Sequence, residues 1–186
     1  MPDELRATYV LVDGENIDAT LGNSIVGRRP RPEERPRWER LLQFARERWG
    51  QPANGLFFLA ANSELPMAFV QALLAMGYRP IALSGASGEK VVDIAIQRTL
   101  SELSRRDADV LLVSNDGDFV AQIRELLDGR RVGVVGFVEF RNQGFVELGE
   151  KGLETFDLEY DVLAFNERLP RVRIIPIDEF DPKQFL

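Results

Sequence analysis

The sequence predicts an α/β fold, a doubly wound, mostly parallel five-stranded sheet flanked by helices. Three observations predict it. Short apolar runs recur along the chain, each the length of one buried strand. The segments between them carry apolar residues at helical spacing, as helices that lay one face on a sheet do. Acidic residues stand where these runs end, which is where ligands bind in an open parallel sheet.

Taken in order, residues 8–13 form the first strand, the apolar run Tyr9-Val10-Leu11-Val12 closed by Asp13. Residues 24–37 break the alternation. Pro30, Pro32 and Pro36 keep them extended, and Arg28, Arg29, Arg31, Arg35 and Arg37 make them basic within an acidic chain. That stretch reads equally as an arginine arm for phosphates or as a solvated connector. Residues 36–49 carry Trp38, Leu41, Leu42 and Ala45 on one helical face, and 55–61 is the second strand. Residues 65–76, with Leu65, Ala68, Phe69, Leu73 and Met76, form the next helix, and 79–84 the third strand. Val92, Ile96, Leu100 and Leu103 line a helix over 90–104, followed by a strand at 109–114. Phe119, Ile123 and Leu127 line a helix over 118–128, and 131–137 is the fifth strand.

Beyond it, Phe137 to Leu153 holds a short helix and turn, and Thr155-Phe156-Asp157-Leu158 is a candidate edge strand. Val172-Arg173-Ile174-Ile175-Pro176-Ile177 alternates like a second edge strand, where a proline is tolerated. The expected organisation is one domain over residues 1–167 and a C-terminal tail over 168–186. An α+β arrangement is the alternative.

Composition narrows the chemistry. At 45% hydrophobic and 28% charged, with no apolar run of membrane-spanning length, the chain reads as a globular protein that does not enter a membrane. Met1-Pro2-Asp3-Glu4 lacks a basic export signal, so a cytoplasmic location is expected. The absence of cysteine excludes thiolate nucleophiles and zinc–thiolate sites. The absence of histidine excludes serine or cysteine hydrolysis through an imidazole base, and histidine zinc sites. A net charge of −7 argues against a general nucleic-acid coat protein but not against a nucleic-acid enzyme, because bound cations reverse the local field.

Four aspartates then stand out: Asp13, Asp93, Asp116 and Asp118. Asp93 interrupts Val91-Val92-Asp93-Ile94-Ala95-Ile96, and Asp116 and Asp118 follow the fourth strand almost at once. Gathered in one cleft, carboxylates repel by about 3 kcal/mol per pair at ~5 Å and an effective dielectric of ~20. A hard divalent cation relieves that repulsion, and oxygen-only ligands suit Mg²⁺ or Mn²⁺. Each motif alone has a bland reading. Asp13-Gly14-Glu15-Asn16 is a common turn, Asp116 or Asp118 an N-cap, and Lys90 a surface lysine at the start of a helix. Lysine is rare here, and Lys90 shares a helical turn with Asp93, so both can face one pocket. Gly85-Ala86-Ser87-Gly88 before it could cradle a phosphate or be a plain loop.

Together, the segments Val10-Leu11-Val12-Asp13-Gly14-Glu15-Asn16-Ile17, Lys90-Val91-Val92-Asp93-Ile94 and Leu111-Leu112-Val113-Ser114-Asn115-Asp116-Gly117-Asp118-Phe119 resemble the NYN domain, a branch of the PIN-like metal-dependent nucleases. Leu148 to Phe156 is similar to the family's closing helix and strand. The resemblance spans roughly residues 8–160. It implies a PIN-like fold with a five-stranded parallel core, an acidic pocket for Mg²⁺ or Mn²⁺, RNA as substrate, and a homodimer as one assembly. By motif position Asp13, Asp93, Asp116 and Asp118 are the metal-binding and catalytic acids. Asn16 and Ser114 support them, and with Lys90 they contact substrate. Three positions depart from the family: Val91 and Asn115 replace common glycines, and Thr99 stands near where many members carry a further aspartate.

The expected function is metal-dependent hydrolysis of RNA phosphodiester bonds, a metal-bound water attacking while the cation screens the phosphate. The rival from another class is a PIN-like module that binds RNA or protein without cutting. A Mg²⁺ phosphatase with an aspartyl nucleophile ranks third, because Glu15 occupies the place of its second aspartate.

Overall fold

The computed structural model describes residues 6–62, 64–172 and 174–186. Six strands form one sheet: β1 (Thr8–Asp13), β2 (Ala53–Ala60), β3 (Tyr78–Leu83), β4 (Asp109–Val113), β5 (Val132–Gly136) and β6 (Glu154–Asp157). Their spatial order is β3-β2-β1-β4-β5-β6, and each neighbouring pair is parallel. The order reverses between β1 and β4, so the crevice beyond their carboxyl ends is the natural ligand position.

The helices are α1 (Gly14–Ala19), α2 (Trp38–Trp49), α3 (Met67–Met76), α4 (Val91–Leu103), α5 (Val120–Leu126) and α6 (Gln143–Leu148). The two faces of the sheet bury two distinct cores, as the two-residue period of a strand requires. Val10 and Val12 of β1 pack with Leu111 and Val113 of β4 beneath α1, α2 and α3, where Ile17, Leu41 and Leu73 are buried. Leu11, Val110 and Leu112 face the other way, against Ile96 of α4, Ile123 of α5 and Phe145 of α6. This is why those strands read as continuous apolar runs rather than alternating ones.

The expected α/β class, parallel sheet and flanking helices are present; the strand count is corrected from five to six. Residues 154–157 pair with β5 in parallel register, Val135 beside Phe156, and take the edge of the sheet. With that edge occupied, the anticipated strand over 172–177 does not form: Val172 and residues 174–176 are irregular, and Val172 and Ile174 are almost wholly exposed. Arg173, within that stretch, and Met1 to Glu4 lie outside the described residues.

The connector after β1 also differs from a simple loop. Helix α1 runs on through a π-helical segment over Thr20–Val26, ended by Gly27 in the left-handed region at φ 78°. The basic stretch beyond is partly tied down, with Arg28 on Glu34 at 2.6 Å and Arg35 Nε 3.2 Å from Asp18. Among the described residues no helix is long and apolar enough to cross a membrane.

At the opposite edge, Arg171 clasps the C-terminal segment to the sheet. Its guanidinium is 1% exposed and lies 2.6 Å from both Asp157 and Glu139 and 3.2 Å from Glu159. Its cationic plane also covers Tyr160 at 4.4 Å and Phe137 at 5.2 Å. Packing therefore continues past residue 167, with Leu169 joining Leu158, Val162 and Ala164 in the same core as β1.

Candidate metal centre

Parallel register places Val12 beside Val113, so Asp13 and Ser114 leave adjacent strands side by side at the point of reversal. Asp13 is 2% exposed and Ser114 is fully buried. The Ser114 hydroxyl donates to Asp13 Oδ2 at 2.9 Å and accepts the Asp116 amide at 3.1 Å, fixing both acids with one side chain. Asp93, in the first turn of α4, comes from above. Asp13, Asp93 and Asp116 each offer a carboxylate oxygen within 4.8 Å of the other two.

No arginine or lysine pairs directly with any of the three among the described residues. The contrast with Asp109, the buried acid at the other end of β4, is direct. Asp109 has Arg6 Nε at 2.9 Å, the Gln51 amide at 2.8 Å and the Arg131 amide at 2.9 Å. Asp13 has the Ser114 hydroxyl, the Asn16 backbone amide and two neighbouring negative charges. Burial, reinforced by Asp93 and Asp116 and opposed by the Ser114 hydrogen bond, pushes the Asp13 carboxyl up to about 7. Asp93 is raised as well, first by burial and then by Asp116 and Asp118, with Lys90 opposing and Glu15 adding to the rise.

The fourth predicted acid stands apart. Asp118 is half exposed, its side chain 3.8 Å from Lys90 Nζ. The cause is local: Asp116 caps the short turn Gly117–Phe119 by accepting the Asp118 amide at 2.9 Å, which carries Asp118 outward. Lys90 precedes α4 at the rim, largely exposed. Asn16 joins the two acid-bearing loops. Its Oδ1 accepts the Asn115 amide at 2.9 Å, stitching the loop after β1 to the loop after β4. Ser114, expected to support the acids and to contact substrate, is fully buried, with its hydroxyl between Asp13 and the Asp116 amide.

Asn115, a departure from the family pattern, proves structural. Its Oδ1 accepts the Phe137 amide at 2.9 Å, joining the ends of β4 and β5, where Gly136 leaves room for it. Thr99 returns its hydroxyl to Ala95 O at 2.7 Å and lines a separate surface hollow with Tyr9 and Leu56. Its lack of a carboxylate therefore leaves the three-acid group whole. Glu15, which sequence reasoning passed over as a metal-site neighbour, is close enough to raise Asp93. Its position two residues after Asp13 in a helical first turn was the available signal.

Comparison with known proteins matches residues 7–148 to the NYN domain. The chain belongs to the NYN domain family. NYN domains are members of the PIN-like superfamily, so the resemblance carried by the three motifs is borne out. A crystal structure of a protein of unknown function from Vibrio parahaemolyticus is similar in fold, with a TM-score of 0.66 and 18% identity over 87% of this chain and 98% of that one. No curated protein matches. In this NYN domain the carboxylate group has the donor chemistry of a divalent metal site: oxygen ligands only, one of them buried, and no arginine or lysine paired with them among the described residues.

Proposed function

We propose that this NYN domain is a metal-dependent ribonuclease that hydrolyses RNA phosphodiester bonds with Mg²⁺ or Mn²⁺. The observation that carries this reading is the buried Asp13 grouped with Asp93 and Asp116, without a cationic partner, at the reversal point of the sheet. Asp13, Asp93 and Asp116 would hold the metal. Three acids in one group suit a single ion, with Asp118 outside it.

A bound divalent cation supplies Lewis-acid activation of water and neutralises charge on the phosphate. The chain's own residues do the rest. Ser114 holds Asp13 in one orientation and, through the Asp116 amide, fixes the spacing of the two acids. Asn16 keeps the two acid-bearing loops together. Lys90 and Asp118 flank the opening, where the ammonium group can meet a phosphate oxygen on the way in.

The experiment is degradation of single-stranded and folded RNA by the intact protein with Mg²⁺ or Mn²⁺, against the same reaction in EDTA. Cleavage is expected only with metal and not in Asp116→Asn. Metal binding without cleavage of any RNA would replace this reading with that of a non-catalytic RNA- or protein-binding module. Parental cleavage by Asp116→Asn would remove Asp116 from the site.

A further inference from the structure

Two exposed features of this chain match each other in chemistry and have no part in the acid group. The first is the segment after the Arg171 clasp. Val172, Ile174 and Ile177 are 82–97% exposed, and the rings of Phe180 and Phe185 stack at 5.8 Å with both residues half exposed. Acids frame the first of these rings, in Asp178-Glu179-Phe180-Asp181, and Lys183 is the one base over residues 174–186.

The second is the surface hollow at Thr99, about 310 Å³, on the face of the sheet that carries α4. Helix α4 packs on β1 and β2, and Ile81 and Leu83 of β3 beyond it are only partly buried. Tyr9, Leu56 and Leu103 give the hollow an apolar lining, with Tyr9 and Leu56 partly open to solvent. Its rim is basic. Arg98 and Arg106 line it, and parallel register sets Arg79 of β3 beside Leu56 on the same face. Glu102 is the one acid in that lining among the described residues, and it is already shared by Arg105 at 3.7 Å and Arg106 at 3.1 Å. Arg79 and Arg98 are exposed and have no acidic partner among the described residues. Positive charge is therefore in local excess here, in a chain whose net charge is −7.

We infer that this hollow receives the Phe180 ring from the tail of a second copy of this chain, with Asp178 and Glu179 meeting Arg79 and Arg98, and that two copies exchange tails about a two-fold axis. An aromatic anchor in an apolar recess with charged groups around it is how short segments hold an interface. The tail does not reach the hollow of its own copy. It leaves from the β6 edge, where Asp157 holds Arg171, and Leu56 on β2 is four strands away with α6, α5 and α4 covering the sheet between. Strand spacings of ~4.8 Å and a helix layer of ~10 Å climbed on each side make that path about 40 Å. The chain from Arg171 to Phe180, about nine residues, spans ~30 Å at most. The tail's end instead lies near its origin, Gln184 beside Tyr160 and Leu163. One short segment in one hollow falls below the ~1,200–2,000 Å² of a stable interface. A two-fold axis makes the contact twice and closes the assembly at two copies.

The test is the mass of the full chain by sedimentation equilibrium. The parent should pass from monomer to dimer over the micromolar range. Phe180→Ala should weaken the dimer about 10- to 100-fold, the loss of one interface anchor. Two charge reversals, Asp178→Arg with Glu179→Arg in the tail and Arg79→Glu with Arg98→Glu at the hollow, should each give a folded monomer, since all four positions are exposed. An equimolar mixture of the two reversed proteins should dimerise again, because both contacts then pair opposite charges. Tails lying on their own copies would gain nothing from mixing. A parent that stays monomeric, a dimer indifferent to Phe180→Ala, a mixture that stays monomeric, or masses that climb past two copies would each overturn the exchange. A monomeric parent that binds an oligouridylate through Arg79 and Arg98 would give these arginines to nucleic acid instead.

Discussion

Replacing Asp13 by asparagine tests the electrostatic basis of the metal centre without any substrate. In the metal-free protein burial holds the Asp13 carboxyl near 7, whereas an aspartate in an unfolded chain titrates near 3.9. The native state therefore keeps a proton that the unfolded chain has already released between these values. The contribution of this group to stability is greatest below about 4 and declines as the pH rises toward 7, opposite in sign to an ion-paired aspartate. Three units at 1.36 kcal/mol each set a ceiling of about 4 kcal/mol lost by pH 8. Asparagine keeps the shape and an oxygen for the Ser114 hydroxyl but carries no charge.

Asp13→Asn should accordingly be more stable than the parent in EDTA at pH 8, by roughly 2–4 kcal/mol once the sharing of charge with Asp93 and Asp116 is allowed for. The two proteins should converge at pH 4. Saturating Mg²⁺ should restore the parent and do little for the variant. Urea unfolding at both pH values, with and without metal, measures all three differences. A gap of the same size at pH 4 and pH 8, or a parent more stable than the variant in EDTA at pH 8, would refute the argument.

Further outcomes are expected. Millimolar Mg²⁺ or Mn²⁺ should raise Tm, since a ligand at a hundred times its Kd adds about 2.7 kcal/mol to the native state, and EDTA should reverse the shift in a thermal melt. Arg171→Ala should lower the unfolding free energy by about 3–5 kcal/mol in urea, because Asp157 and Glu159 would lose their buried counter-charge. Gly136→Ala should cost about 1–3 kcal/mol, since the new methyl group would collide with Asn115 Oδ1. It should also weaken metal binding by calorimetry, because Asn115 connects the acid-bearing loop to β5.

The positions of β1 to β5 were legible because each is a short apolar run bounded by turn residues, and the buried alternation of Val10, Leu11 and Val12 needs no tertiary knowledge. The sixth strand was harder. Glu154–Asp157 is only four residues long, and the tail over 172–177 alternates more like a strand than it does. What decides between them is Arg171, whose contacts to Asp157 and Glu159 depend on three-dimensional proximity. The acid group was legible for a related reason. Asp13 and Asp116 close strands that must be neighbours at a reversal point, and Asp93 opens a helix. Asp118 stands at the rim, half exposed beside Lys90, because the turn capped by Asp116 carries its side chain outward. Ser114 and Asn16 stand close to the acids in the chain, but their burial and bonding direction come only from packing.

The clasp at Arg171 bears on how this polypeptide can be shortened. The segment matched to the family ends at residue 148, before β6 and before every residue from Leu158 to Leu169 that closes the first core. A truncation there would retain all three grouped acids and still uncover Phe137 and the flank of β5. The residues after 148 thus complete the core behind the acid-bearing strands, and excising the family-matched portion alone would leave that core open.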